Sequence, residues 1–231
     1  MARHHRRWFA AFALPYLGDN PIEVGAGLGD YAEEWLHHAP RMTVAEADVG
    51  RLTALKRCFD GNPRVEVREI RLPTSETATY SSALAYNVLE HIEDDVEALR
   101  SMGQLVGSGG AVVIVVPAFS FAMSPIDVIA GHIHRYTCRS VAEALTSAGL
   151  LIEKLGYANC LGLICYLVAA KVFRVTLGRG PMVRFYDQIV VPATRFAERL
   201  IWPPFGESVV AVPRVGATTA SASNRSIGDV G

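Results

Sequence analysis

The sequence predicts an α/β fold, a mostly parallel sheet with helices on both faces. Three observations carry this. Over the first two-thirds of the chain, short apolar runs alternate with stretches of helical periodicity, and strand–helix alternation builds parallel sheets. The run AVVIVVP (111–117) is apolar at every position, as a central strand covered on both faces requires. The stretch IEVGAGLGD (22–30) carries an apolar run into three alternate glycines and on into a helical pattern, the arrangement found at the ligand-binding edge of such sheets.

The bulk numbers set the frame. The chain has 231 residues, enough for one sizeable domain, and half of them are hydrophobic, so a packed core is expected rather than disorder. A net charge of −1 argues against a general nucleic-acid binder. The four cysteines, Cys58, Cys138, Cys160 and Cys165, make no CxxC pair and have no zinc-like spacing. A reduced cytoplasmic protein with buried thiols is the simplest expectation.

The elements follow in order. MARHHRRWFAAFALPYL (1–17) imitates a signal peptide, but no small-x-small cleavage site precedes the first strand. An amphipathic leading helix beside the glycine loop is expected instead. Strands are expected near 21–25, 42–46, 65–70, 82–87, 111–116 and 150–157, with helices near 28–38, 49–58, 93–106 and 139–148. GSGG (107–110) reads as the turn between a helix and the central strand. LGLICYLVAAKVF (161–173) is apolar but too short to span a membrane. From Lys171 to Arg199 there are six basic and two acidic residues, with Phe173, Phe185, Tyr186 and Phe196 among them. WPPFGESVVAVPR (202–214) gives a proline-marked turn and a seventh strand, and the small, polar tail 215–231 is expected to be disordered. The domain is thus expected over 1–214, with 158–203 a helical insertion between strands six and seven.

The glycine loop narrows the ligand. Glycine frees the backbone for unusual angles, so one or two would suit any tight turn. Three on alternate positions, Gly25, Gly27 and Gly29, behind Glu23, point to a ligand. A dinucleotide loop, GxGxxG, would need glycine at position 30, where the chain has Asp30. Glu23 and Asp30 disfavour a phosphate and suit a cationic, hydroxyl-bearing ligand.

EVGAGLG resembles the first motif of class I S-adenosylmethionine-dependent methyltransferases. MTVAEAD (42–48) matches their second motif, and NVLEHIEDD (87–95), within 83–117, is similar to the branch containing quinone-biosynthesis O-methyltransferases. The resemblance implies a Rossmann-like sheet of seven strands with the last antiparallel, and S-adenosylmethionine as cofactor with S-adenosylhomocysteine as product. It implies that Glu46 holds the ribose hydroxyls. It puts Asn87 and Val88 beside the methionyl part, and Glu90 and His91 at the mouth of the substrate side. Many relatives carry an acid after the third strand to contact adenine; here Arg71 aligns, with Glu69 two residues earlier, so either Glu69 or backbone groups would read the adenine.

GHIHRYT (131–137) resembles a GHxRRYT lid segment of a bacterial branch, with His132, Arg135 and Tyr136 matching and His134 in place of an arginine. The resemblance makes Glu90, His134, Arg135 and Tyr136 candidates to face substrate; a structural lid, with Arg135 paired to an acid and Tyr136 packed, is the alternative. A positioned histidine adds on the order of 10²–10⁴ to a step in which the nucleophile loses a proton, which makes His91 and His132 the candidate bases. His91 bonded only to nearby backbone is the plain alternative. No acid cluster resembles the magnesium site of catechol methyltransferases, and helix capping explains EDD (93–95), so no metal is expected.

The expectation is methyl transfer to oxygen or nitrogen of a small, apolar acceptor: quinol-like, lipid-like or a secondary metabolite. An NAD-dependent oxidoreductase and a non-catalytic S-adenosylmethionine-binding module are the rivals. The basic, aromatic insertion suggests either peripheral contact with the inner face of the membrane or ordinary helical core and a homodimer face.

Overall fold

In the computed structural model, residues 2–77, 80–168, 181–201 and 203–216 are described. Seven strands form one sheet: β1 (Ile22–Val24), β2 (Met42–Ala45), β3 (Val65–Arg68), β4 (Ser82–Tyr86), β5 (Ala111–Pro117), β6 (Leu150–Ala158) and β7 (Ser208–Val215). Their order is β3-β2-β1-β4-β5-β7-β6. Every pairing is parallel except those of β7, which runs antiparallel to both β5 and β6. This is the expected Rossmann-like sheet, and its strand order reverses between β1 and β4. At such a switch point, loops leaving adjacent carboxyl ends diverge to opposite faces and open a crevice.

The helices are α1 (Arg3–Ala10), α2 (Asp30–Trp35), α3 (Val49–Cys58), α4 (Asp95–Val106), α5 (Pro125–Ala130), α6 (Cys138–Ser147), α7 (Cys160–Leu167), α8 (Pro181–Phe185) and α9 (Val191–Leu200), with a π-helical turn Tyr186–Val190 joining the last two. β5 is buried at all seven positions. Its alternate side chains serve two cores: Val112, Ile114 and Val116 on one face of the sheet, Ala111, Val113 and Val115 on the other, as the two-residue period of a strand dictates.

The basic N-terminal segment is the expected helix, and it packs on α2. Trp8, Phe9 and Ala10 are buried, Trp35 donates its indole N–H to the Ala10 carbonyl at 2.9 Å, and Tyr86 donates its hydroxyl to the Phe9 carbonyl at 3.1 Å. Arg6 pairs with Asp30 at 3.1 Å and with Glu34 at 3.0 Å.

Two expectations are corrected. Cys58 is exposed and Cys138, Cys160 and Cys165 are half-buried, all as free thiols, so none is a core residue. The short helix α5 was not expected. It is bounded by a Ser124–Asp127 capping box and by Gly131 in the left-handed region. The insertion leaves the sheet at Ala158 and returns at Ser208, and these two residues face each other across the β6–β7 ladder. Most of the expected disordered tail, 217–231, lies outside the described residues.

Candidate active site

A cavity of about 340 Å³ opens at the switch point. Gly25, Glu46, Arg71, Asn87, Val88 and His91 line it, so parts of the first two motifs and of NVLEH converge from the ends of β1, β2 and β4.

The three loop glycines divide the work. All have positive φ, 72°, 60° and 84°, which glycine adopts without strain. A Cβ at Gly25 would stand 2.5 Å from Val88, and one at Gly29 would stand 2.6 Å from the Phe59 ring. Gly29 therefore lets α2 close on α3. Gly25 lines the cavity; at Gly27 a Cβ would meet nothing within 4 Å, and its N–H is bonded to the lining residue Glu46.

The acids also differ from expectation. Glu23 is 2% exposed; burial pushes its carboxyl well above the usual range, although the Ala32 backbone N–H bonds to it. Asp30 is turned to Arg6. Neither puts free negative charge into the cavity. Glu46 does face it. Its carboxylate accepts from Gly27 N at 2.8 Å and from Ala47 N and Asp48 N at 2.9 Å each, tying the glycine loop to the end of β2. Of the roughly four acceptor positions on a carboxylate, these three bonds leave one for a ligand hydroxyl. Asn87 adopts a left-handed φ of 55°, and its N–H bonds to the Val115 carbonyl at 2.8 Å, which sets it and Val88 at the cavity wall. After β3, Ile70, Arg71 and Leu72 line the cavity, and Glu69 is not among the lining residues.

The lid meets this cavity at its mouth. His91 Nδ1 lies 3.1 Å from the Gly131 carbonyl, and the His91 and His132 rings meet edge to face at 4.8 Å. His132 Nε2 is 3.8 Å from Glu90 Oε1. Its Nδ1 is 3.1 Å from Asp127 Oδ1, although the alignment falls short of a full hydrogen bond. Burial and the neighbouring His91 lower the His132 pKa, with Asp127 opposing. Glu90 is completely buried, and both its carboxyl oxygens lack a hydrogen-bond partner. Burial pushes its pKa up to about 8 against the pull of its own backbone N–H and of Arg135.

The remaining lid candidates point elsewhere. Arg135 donates to Asp127 at 2.8 Å and to the Ala118 carbonyl at 3.0 Å, and its guanidinium lies over the Tyr166 ring of α7. Tyr136 is 4% exposed within the core and donates to Asp95 at 3.0 Å. His134 contacts Tyr136 and lies 3.8 Å from Asp95. These three fasten the lid to β5, α4 and the insertion; the structure does not bring them into the cavity. For Arg135 and Tyr136 the structural alternative is the one observed. Asp127 is the residue the sequence reading missed. Its burial works against its charge, but donation from Arg135 and Ser124 outweighs this and holds its carboxyl below the ordinary value. Ser124 and Asp127 stand at capping-box spacing, but an aspartate in place of the usual glutamate or glutamine made that signal weak.

A second hollow, of about 360 Å³, lies between α1, β6, β7 and α9, lined by Trp8, Phe12, Tyr157 and Arg195 among others. It lies away from the glycine loop, and its polar lining is mostly basic, with Lys154, Arg195 and Arg199 beside Glu198.

Comparison with known proteins agrees with this geometry. Residues 2–155 match the family described as a methyltransferase domain. No curated protein matches the chain. Among solved structures, the chain is similar to the partner of the Haloferax volcanii Trm112 methyltransferase activator in their complex, at 14% identity and TM-score 0.62 over 92% of each chain. It is similar to geranyl diphosphate C-methyltransferase from Streptomyces coelicolor A3(2), solved with Mg²⁺, a substrate analogue and S-adenosyl-L-homocysteine, at 13% identity and TM-score 0.62 over 90% of this chain and 75% of that one. The chain is also similar to the [4+2]-cyclase SpnF, at 16% identity and TM-score 0.60 over 93% of this chain and 81% of that one. Among the described residues, no helix is long and apolar enough to cross a membrane. With two-thirds of its length matched and the donor-side loops converging on one cavity, the chain belongs to the methyltransferase domain family.

Proposed function

We propose that the chain transfers the methyl group of S-adenosylmethionine to oxygen or nitrogen of a small, apolar acceptor and releases S-adenosylhomocysteine. The observation that carries this is the single cavity shared by the glycine loop, Glu46 and Asn87 on one side and by His91 on the other. Glu46 takes a ribose hydroxyl on its remaining acceptor position. Gly25 and Gly27 border the donor, Asn87 and Val88 flank its methionyl part, and backbone near Ile70–Leu72 reads the adenine. Glu23 anchors the loop from beneath.

Methyl transfer from a sulfonium is an in-line displacement, so alignment of the two reactants is the main task and is worth roughly 7–11 kcal/mol. An acceptor hydroxyl or ammonium must also lose its proton. His91 and His132 stand at the mouth with their rings in contact and are the groups to take it, with Glu90 beside them. A screen for transfer of labelled methyl groups into extract fractions graded by polarity tests the reading. Label in an apolar, low-mass fraction is expected; label confined to macromolecules would refute it. Full turnover in the His91→Ala, His132→Ala double variant would remove the base assignment and leave alignment alone.

The insertion supports peripheral contact with an anionic membrane face. Phe185, Ile189, Phe196, Leu200 and Ile201 are all more than half exposed, and Arg184, Arg195 and Arg199 lie among them; an apolar face rimmed by basic residues suits such a surface. Co-sedimentation with anionic liposomes at low salt is expected. No sedimentation, together with a dimer in solution, would assign the same face to a second copy of the chain.

A further inference from the structure

The turn after β4 and the lid bring together Glu90, His91 and His132, whose nearest ligating atoms all lie within 4.8 Å of one another. We propose that these three residues bind a divalent transition-metal ion of the zinc class, with its open coordination positions toward the acceptor. The proposal deepens the reading of this mouth as the acceptor site and rests on it for the ion's use, though not for its binding.

Three features point to a cation. First, the Glu90 carboxyl is completely buried and neither oxygen has a hydrogen-bond partner. A buried carboxyl without partners is costly and calls for a proton or a positive ion; Arg135, the nearby guanidinium, is bonded to Asp127 and Ala118 instead. Second, the His91 imidazole is set in a ligating tautomer, and His132 has a ring nitrogen near Glu90. A carbonyl oxygen only accepts, so the 3.1 Å contact of His91 Nδ1 with Gly131 O places the proton on Nδ1 and the lone pair on Nε2. For His132, the Asp127 carboxylate stands 3.1 Å from Nδ1 without a full hydrogen bond, and Nε2 lies 3.8 Å from Glu90. A ligating histidine whose other nitrogen is held by a carboxylate or a carbonyl is the usual outer shell of a metal site. Third, that outer shell is itself fixed. Asp127 is held by Ser124 and Arg135, and the lid is tied to the turn through Ile133 N to Glu90 O at 2.9 Å and to α5 through His132 N to Asp127 O at 2.8 Å.

The donor set selects the ion. Two imidazole nitrogens and one carboxylate suit zinc and its neighbours, whereas magnesium prefers an all-oxygen shell. Ligands around zinc at about 2.0–2.2 Å stand closer together than these atoms do, so His91, which is exposed, would turn inward to complete the site. An ion there would hold an acceptor oxygen and make its proton more acidic, taking over the part given above to imidazole. The expectation that no metal is bound rested on the acidic run 93–95, where Asp94 caps α4; the spacing of Glu90 and His132 gave no such signal.

The test uses the full chain, stripped with chelator and titrated with Co²⁺ as a visible probe, with S-adenosylhomocysteine binding measured in parallel. One saturable Co²⁺ per chain, displaced by Zn²⁺, is expected. Affinity should fall at least tenfold in each of Glu90→Gln, His91→Ala and His132→Ala, and stay unchanged in the exposed control His38→Ala. His91 is on the surface, so its variant keeps the test valid if the buried Glu90 change prevents folding. No saturable Co²⁺ binding by protein that binds S-adenosylhomocysteine would overturn the metal site and leave the methyltransferase reading intact. Co²⁺ affinity indifferent to all three substitutions would overturn it too. Co²⁺ binding without S-adenosylhomocysteine binding would support the site and count against the donor reading alone.

Discussion

Replacing Gly27 by alanine should separate the cost of a strained loop from the loss of a ligand. Gly27 has a φ of 60°, and a Cβ there meets no atom within 4 Å. The only cost to the fold is the left-handed backbone, about 1–2 kcal/mol for a residue with a side chain. For a chain of this size each kcal/mol lowers Tm by about 2–4 °C, so a fall of about 2–8 °C is expected. Gly61 supplies the control. Its φ is 71°, and its Cβ space is likewise empty, but it lies in the turn after α3, outside the cavity. Gly61→Ala should lose the same stability. The two variants part in S-adenosylhomocysteine titration calorimetry. Gly27→Ala should bind at least tenfold more weakly, a loss of about 1.4 kcal/mol, while Gly61→Ala binds as the parent does. Gly25 is a poorer probe, because its Cβ would also strike Val88 at 2.5 Å. Equal affinity in the Gly27 and Gly61 variants would refute the placement of the donor against the loop.

Glu46→Ala removes the acceptor of three backbone N–H groups and should weaken S-adenosylhomocysteine strongly by calorimetry; unchanged affinity sinks the ribose assignment. Arg135→Ala leaves Asp127 without its 2.8 Å partner in a site where both side chains are under a tenth exposed. A loss of about 3 kcal/mol is expected from denaturant midpoints, and a change near zero would mean that the lid is anchored by other contacts. His5 stacks on Phe9 at 4.2 Å, and burial holds its pKa down at about 4, with Asp187 opposing. Between the unfolded value near 6.5 and 4, the unfolded chain binds the extra proton, so stability falls as pH falls through that window. The drop is on the order of 3 kcal/mol, and urea unfolding at pH 7 and 4.5 should show His5→Gln losing less over that span than the parent.

The sheet was legible because burial imposes a period on sequence. The all-apolar β5 announced itself, and the expected strand positions fall within a residue or two of those observed. Helix α5 was not legible, since six residues give too little periodicity and its capping box involves an aspartate rather than the usual glutamate. The cavity at the switch point was readable from local motifs, because the loops after β1, β2 and β4 that carry them supply much of its lining. The lid at its mouth was not. Whether Arg135 faces a substrate or a structural acid depends on Asp127, and Asp127 declares itself only when the lid folds back on β5. The companionship of Glu90 and His132 is likewise a product of tertiary closure. Asp30 looked like a charge guarding the loop, and Arg6, far upstream, neutralises it.

The position of β7 has a consequence for the length of chain the fold tolerates between β6 and β7. Because β6 ends opposite the start of β7, the insertion departs and returns at one rung of the ladder. The ends of such an excursion are already closed by the sheet, and lengthening it costs free energy only logarithmically. Any stretch spliced at that rung leaves the register of the other strands, and the donor loops they carry, untouched. The chain between Ala158 and Ser208 could therefore change in length and sequence while the loops after β1, β2 and β4 that line the cavity kept their places.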